Sequence, residues 1–294
     1  MKKTLWMILA AMLMLMLAAC NQTAEPVEQE QSGESTTKTK ETEAKEQEEE
    51  LTLEEVYKKT EEANKNVHSF ESDMTMKQAI SAEGEKQDIN SDISLAFIAD
   101  PMALHQQMTM SIEGQEQNIE AYLTKDGFYM YEPNQQAWVK LPEELSGQIL
   151  QMSENQTNPS GQLEQLKPFV DEFDFQQDEK NYILTLKASG EKFDQFLKDQ
   201  VKETLPPEMQ TENMMGTMTF NKMEYELFID KETFYLTAMN MVTDTDTEVE
   251  GQKVNMQMDI RGTYSNYNGV ESIEVPKEAL ENAQEITMDQ MNGQ

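Results

Sequence analysis

Phe70-Glu71-Ser72-Asp73-Met74-Thr75-Met76-Lys77-Gln78-Ala79-Ile80 is the stretch that decides the fold. Phe70, Met74, Met76 and Ile80 alternate with Glu71, Asp73, Thr75 and Lys77. A period of two predicts a strand with one buried face. Immediately upstream the period is different. Thr52 and Glu55 make a capping-box pattern, and Val56, Tyr57, Thr60, Ala63 and Val67 recur at helical spacing. An amphipathic helix over 53–67 is therefore expected to lead into the strand.

Downstream the alternation repeats. Glu83-Gly84 turns the chain into Ile89, Ile93, Leu95 and Phe97. Asp100-Pro101 turns it into Leu104, Met108, Met110 and Ile112, and Gly114 into Ile119, Ala121 and Leu123. Lys125-Asp126-Gly127 is a hairpin signal between two aromatic strands. Short strands follow at Phe128–Tyr131 and Ala137–Leu141.

The middle breaks this rhythm. Pro142-Glu143-Glu144 opens a helix carrying Leu145, Ile149 and Leu150. A second segment holds Leu163, Leu166, Phe169 and Val170, and Phe193, Phe196, Leu197 and Val201 mark another helix. Between these lies a strand at Tyr182–Ala188; further strands are expected at Met223–Ile229, Thr233–Val242, Val254–Tyr264 and Ile273–Val275. About eleven strands, mostly joined by hairpins, with a few helices, predict an α+β fold with a strongly curved antiparallel sheet.

The N-terminus specifies location. Lys2 and Lys3 precede an apolar run from Leu5 to Ala19, and the only cysteine, Cys20, follows Leu17-Ala18-Ala19. This is a secretory-signal pattern, and the 15-residue run is shorter than the about 20 residues a membrane span needs. Residues 1–19 read as the signal peptide and 20–50 as an acidic, disordered tether without an aromatic residue. Residues 51–286 read as the folded domain and 287–294 as a frayed tail.

Charge excludes one class of partner. With Lys2 and Lys3 removed, 21 basic residues face 56 acidic ones, a formal charge of −35. Such a surface repels nucleic acid and anionic headgroups. A lone cysteine permits no internal disulfide.

Eighteen of the 23 methionines lie beyond the leader. Met74/Met76, Met108/Met110, Met239/Met241 and Met256/Met258 are spaced by two, which puts each pair on one strand face. Methionine is flexible and polarizable. These residues either pack an ordinary core or wall a cavity for a lipid-like ligand. The cavity candidates are Met74, Met76, Ile93, Leu95, Met108, Met110, Met256 and Met258.

Other chemistry is sparse. His68 and His105 lie on separate elements and read as ordinary polar residues, so no metal or other cofactor is expected. No nucleophile elbow, phosphate loop or dinucleotide fingerprint is present, which argues against an enzyme. Tyr122, Phe128, Tyr129, Tyr131 and Trp138 fall within 17 residues, as cross-strand packing or as the rim of a cavity.

Several segments together resemble the bacterial LolA/LppX-like lipoprotein superfamily, within it the Gram-positive branch of Bacillus-type bacteria. They are the lipobox Leu17–Cys20, the helix-then-strand opening Thr52–Met76, Tyr122–Tyr131, Trp138–Leu141 and Ile273–Ala279. The resemblance implies a half-barrel of antiparallel strands, helices over its concave side, and a diacylglycerol on Cys20 after cleavage of the leader. It implies a membrane-anchored protein on the outer face of the cytoplasmic membrane, holding a hydrophobic ligand between sheet and helices. A Gram-positive cell has no outer membrane, so lipoprotein shuttling has no direct counterpart here. The other expectation is an envelope interaction or sensor lipoprotein whose core is self-filled and which modulates a protein partner.

Overall fold

The computed structural model describes residues 25–26, 51–133, 135–143, 145–147, 149, 169, 172–188, 193, 195–196, 198, 218–249 and 251–286. The leader, Cys20, nearly all of the tether, Leu150, Leu163, Leu166, Val170, Leu197, Val201 and residues 287–294 lie outside the described residues, and so do the expectations placed on them.

Helix α1 (Leu53–Asn64) begins with the expected capping box. The Thr52 N–H donates to Glu55 Oε2 at 2.9 Å and the Glu55 N–H to Thr52 Oγ1 at 3.3 Å, satisfying two N-terminal donors. The helix stops at Asn64, short of Val67. The His68 N–H donates to Asn268 Oδ1 at 2.6 Å, and the His68 carbonyl accepts the Ala99 N–H. This anchoring ends the helix and turns Val67 against Phe70 and Phe97.

The strands are β1 (Glu25–Pro26), β2 (Ser69–Ala82), β3 (Glu85–Ala99), β4 (Met102–Ile112), β5 (Gln115–Thr124), β6 (Gly127–Glu132), β7 (Ala137–Lys140), β8 (Phe173–Gln177), β9 (Asn181–Ala188), β10 (Thr219–Asp230), β11 (Leu236–Val249), β12 (Gln252–Ser265) and β13 (Gln284–Glu285). They form one open sheet, ordered β1-β8-β9-β10-β11-β12-β2-β3-β4-β5-β6-β7-β13. Its body is antiparallel and curved, a half-barrel with few helices. Two meanders, β2 to β7 and β8 to β12, join where β12 pairs with β2, from Val254↔Ala82 to Ser265↔Glu71. Two-residue parallel pairings flank the short outermost strands β7 and β8.

Hairpin turns set the register. Glu83 and Gly84 have φ of 53° and 87°, and Glu113 and Gly114 of 52° and 79°. Positive φ at both central residues is the primed turn that matches strand twist. Gly127 adopts φ 126°, a backbone region where any side chain would be strained.

Two sequence expectations need correction, and one strand had none placed on it. Phe173–Gln177 is a strand, its Phe173 and Phe175 facing Leu186 and Leu184. Ile273–Val275 is not a strand; it crosses the sheet's outer side and leads to α2 (Lys277–Asn282). Strand β11 starts at Leu236 rather than Thr233 and continues to Val249 rather than Val242. Its late start comes from Asp230, whose carboxylate accepts the N–H groups of Glu232 and Thr233 and closes a turn. Burial raises the Asp230 pKa, but those hydrogen bonds outweigh it and hold the carboxyl below its usual value.

One sealed core lies between α1 and the inner face of β8–β12. Leu53, Val56 and Tyr57 pack with Leu184, Leu186, Leu227, Ile229, Met239 and Met241, and Phe169 and Phe193 join them. Truncation of Leu227, which is fully buried, leaves a cavity in this layer. Leu227→Ala is expected to cost about 2–5 kcal/mol in denaturant unfolding; a loss below about 1 kcal/mol would mean the layer is loosely packed.

Candidate functional site

Register places every sequence-proposed cavity residue on the same inner face. Gly262, Met74, Ile93, Met108 and Ile119 form one row across five strands. A parallel row runs Ile260, Met76, Ser91, Met110 and Gln117, and another begins Tyr264, Ser72, Leu95 and Gln106. Met258 pairs with Gln78 and Met256 with Ile80. Phe70, Phe97, Leu104, Leu123 and Phe128 close one end of the face, with the first two rings 5.3 Å apart.

These residues are not equally covered. Ile93, Met110, Met256 and Met258 are buried, whereas Met74, Met76, Leu95 and Met108 are half-buried. Met239 and Met241, at 2% and 1% exposure, belong to the sealed core. Gly262 makes room for Met74, since a Cβ there would approach its Cγ to 3.0 Å. Gln78 Nε2 donates to Met256 Sδ at 3.1 Å. Burial raises the Tyr264 hydroxyl to about 12, so it stays neutral.

The inner face is nearly free of charge. Across β2–β12 its charged residues are Glu85 and Glu132, each at a hairpin end. It does contain hydroxyls that sequence reasoning passed over. Ser72 and Ser91 occupy inner positions, and their Oγ atoms are buried without a hydrogen-bond partner. Thr60 and Asn64, on the buried side of α1, are likewise buried and unpartnered. The available signal was parity: period two puts Ser72 between Phe70 and Met74, and Ser91 between Ile89 and Ile93.

The outer face is charged. Asp244 and Asp246 of β11 accept from the amides of Asn221, Asn255 and Gln257 at 2.7–3.1 Å. These bonds hold the Asp246 carboxyl below its usual range, led by those from Asn221 and Asn255. A depression of about 610 Å³ on this side is lined by Lys77, Asp88, Lys222, Asp244 and Asp259 among others. These charged side chains set it apart from the predominantly apolar lining of a pocket for a greasy ligand.

The aromatic cluster divides between the two faces. Phe128 joins the inner row, while Tyr122, Tyr129 and Trp138 are buried on the outer side beneath Val275 and Ala279. They form a packed patch under the C-terminal segment rather than a cavity rim. His105 stacks on Tyr122 at 4.3 Å and contacts Glu120 Oε1 at 3.0 Å through Nε2. The Tyr122 hydroxyl donates to the same oxygen at 2.9 Å; burial, then the Glu120 carboxylate, raises its pKa. His68 is exposed. Among the described residues no three His, Cys, Asp or Glu side chains converge to hold a metal, and no helix is long and apolar enough to cross a membrane.

The family model described as a family of unknown function, DUF6612, matches residues 52–284. The chain belongs to DUF6612. The match covers the described DUF6612 sheet from the capping box to β13. No curated protein matches the sequence. Among solved structures, LprF from Mycobacterium bovis is similar at 13% identity, covering 76% of this chain and 95% of that one, with a TM-score of 0.34. A DUF1329 family protein from Desulfovibrio piger is similar at 10% identity, 74% and 93% coverage and a TM-score of 0.22. Lipovitellin, in a structure of its lipid–protein interactions, is similar at 7% identity, 74% and 26% coverage and a TM-score of 0.28. With scores this low, none of them assigns a ligand to the DUF6612 chain.

The outer aromatic patch supplies a test of the DUF6612 fold. Ala279 is fully buried against it. Ala279→Asp is expected to lift α2 away, shifting Trp138 fluorescence to the red while far-UV circular dichroism keeps its strand signal. Unchanged emission would show that the C-terminal segment does not cover Trp138 in solution.

Proposed function

We propose that this protein is a non-catalytic lipoprotein that binds a hydrophobic, lipid-like ligand against the inner face of its half-barrel. One observation carries the reading. Beside the sealed core, the same face continues across β2–β4 as an apolar wall of half-buried Met74, Met76, Leu95 and Met108. Apolar burial worth about 25 cal/mol per Å² would drive binding, and unbranched thioethers would adapt to ligands of varied shape. The reading extends to membership of the LolA/LppX-like superfamily and its Bacillus-type branch. It also places a diacylglycerol on Cys20 and the domain on the outer face of the cytoplasmic membrane. Two acyl chains anchor stably where one does not.

The second reading, an envelope interaction or sensor lipoprotein with a self-filled core, draws on a different observation. Met110, Met256 and Met258 are already buried by their own neighbours. The acidic outer face would then be the surface offered to a protein partner.

Solvent extraction of the full chain purified from membranes, followed by mass spectrometry, separates the two readings. Reproducible non-covalent lipid is expected, reduced about tenfold or more in Met108→Gln without loss of the folded state. An extract holding only purification detergent favours the self-filled core. Anchoring is checked independently. Metabolic labelling with radioactive palmitate is expected for the native chain and absent for Cys20→Ala; equal labelling of both would overturn the anchor.

A further inference from the structure

Four polar side chains, two on the buried side of α1 and two on the inner face of β2 and β3, have nothing to bond. Ser72 and Ser91 are 2% and 3% exposed, and Thr60 and Asn64 are 1% and 2%. The Ser72, Ser91 and Thr60 hydroxyls and both amide atoms of Asn64 lack a partner. Each such group is costly to bury unless something satisfies it.

The neighbours of the two serines are apolar or aromatic on every side of the face. Ser91 lies between Met76 and Met110 across the sheet and between Ile89 and Ile93 along its strand. Ser72 lies between Tyr264 and Leu95, and between Phe70 and Met74. Met76 and Tyr264 in turn pack against the core that holds α1, so both serines border the helix-covered layer. A water at either serine would need two to four polar partners, and the residues flanking it supply almost none.

We propose, on the reading that the inner face binds a lipid-like ligand, that this ligand is an uncharged amphiphile with ester or amide groups along its length. Ser72 and Ser91 donate to carbonyl oxygens of those groups, and Thr60 and Asn64 offer further donors from the helix side. Two rows and one strand separate the serines, about 14 Å by strand geometry, so the ligand's polar groups sit at separate points. Among the described residues, the strands place no Lys or Arg on this face to neutralise an acid, so a free fatty acid or phosphate-bearing lipid would bury an unpaired charge.

Three photoactivatable probes test this on the full chain in phosphatidylcholine nanodiscs: a diacylglycerol, the corresponding fatty acid, and an ester-free alkane of equal chain length. Diacylglycerol is expected to label inner-face peptides more strongly than the fatty acid. The double variant Ser72→Ala/Ser91→Ala is expected to lose labelling by diacylglycerol about fivefold per hydroxyl and to keep alkane labelling. The ligand-free variant should unfold at a temperature no lower than the native chain, because its lost hydroxyls had no partner. Labelling by diacylglycerol that is unchanged in the variant, fatty acid labelling that matches it, or a lower unfolding temperature overturns the ester assignment. Failure of all three probes to label the native chain overturns the ligand-binding reading itself, and this inference with it.

Discussion

The structure depends on one constraint: a period-two chain must keep charge off whichever sheet face is covered. An uncompensated charge in an apolar layer is far more costly than any hairpin is stabilising. The chain obeys this over strands of up to fifteen residues, and a one-residue register slip would turn every acidic position inward. The acidic excess therefore lies on the outer side, where Asp244 and Asp246 share the amides of Asn221, Asn255 and Gln257. Primed turns at Glu83-Gly84 and Glu113-Gly114 hold the register that this separation requires.

Closure of the sheet is a separate problem, because the two meanders are made of local pairings and their junction is not. Ser265 meets Glu71 and Val254 meets Ala82 across more than half the chain. Loop-closure entropy rises slowly with length, so this pairing needs modest reinforcement. It comes from both sides of the junction: Met258 and Ile260 of β12 and Met76 of β2 all pack into the core beneath α1. The sheet's ends are treated differently. Short strands with brief parallel partners limit the exposed backbone edge that would otherwise recruit another chain.

Much of this was legible in the sequence, for identifiable reasons. Helix α1, the strands from Phe70 to Leu123 and their turns were readable because capping, alternation and glycine placement agree. All eight cavity candidates share a face because parity alone decides sidedness. What failed was governed by partners remote in sequence. Thr243 to Val249 lies beyond the expected strand end, and its Asp244 and Asp246 are held in the sheet by the side-chain amides of β10 and β12. Ile273–Val275 has strand-like alternation, yet Val275 is buried under α2's approach to Trp138 rather than in the sheet. Phe173–Gln177 offers only two inward apolar residues, and its identity as a strand comes from Leu184 and Leu186 opposite. Ser72 and Ser91 were overlooked because a search for apolar residues discards the hydroxyls between them.

The uneven covering of a single face is the remaining physical point. Met239 and Met241 differ from Met74 and Met108 in neither chemistry nor sidedness, only in what lies above them. Toward β8–β12 the layer above is α1 with Phe169 and Phe193, and the thioethers there are core. Toward β2–β4 that cover thins, and the same side chains remain part-accessible. A rigid branched wall would pay for such exposure without return. Methionine repacks at low cost where cover is partial, so one residue type serves both the sealed and the part-covered stretch of this face.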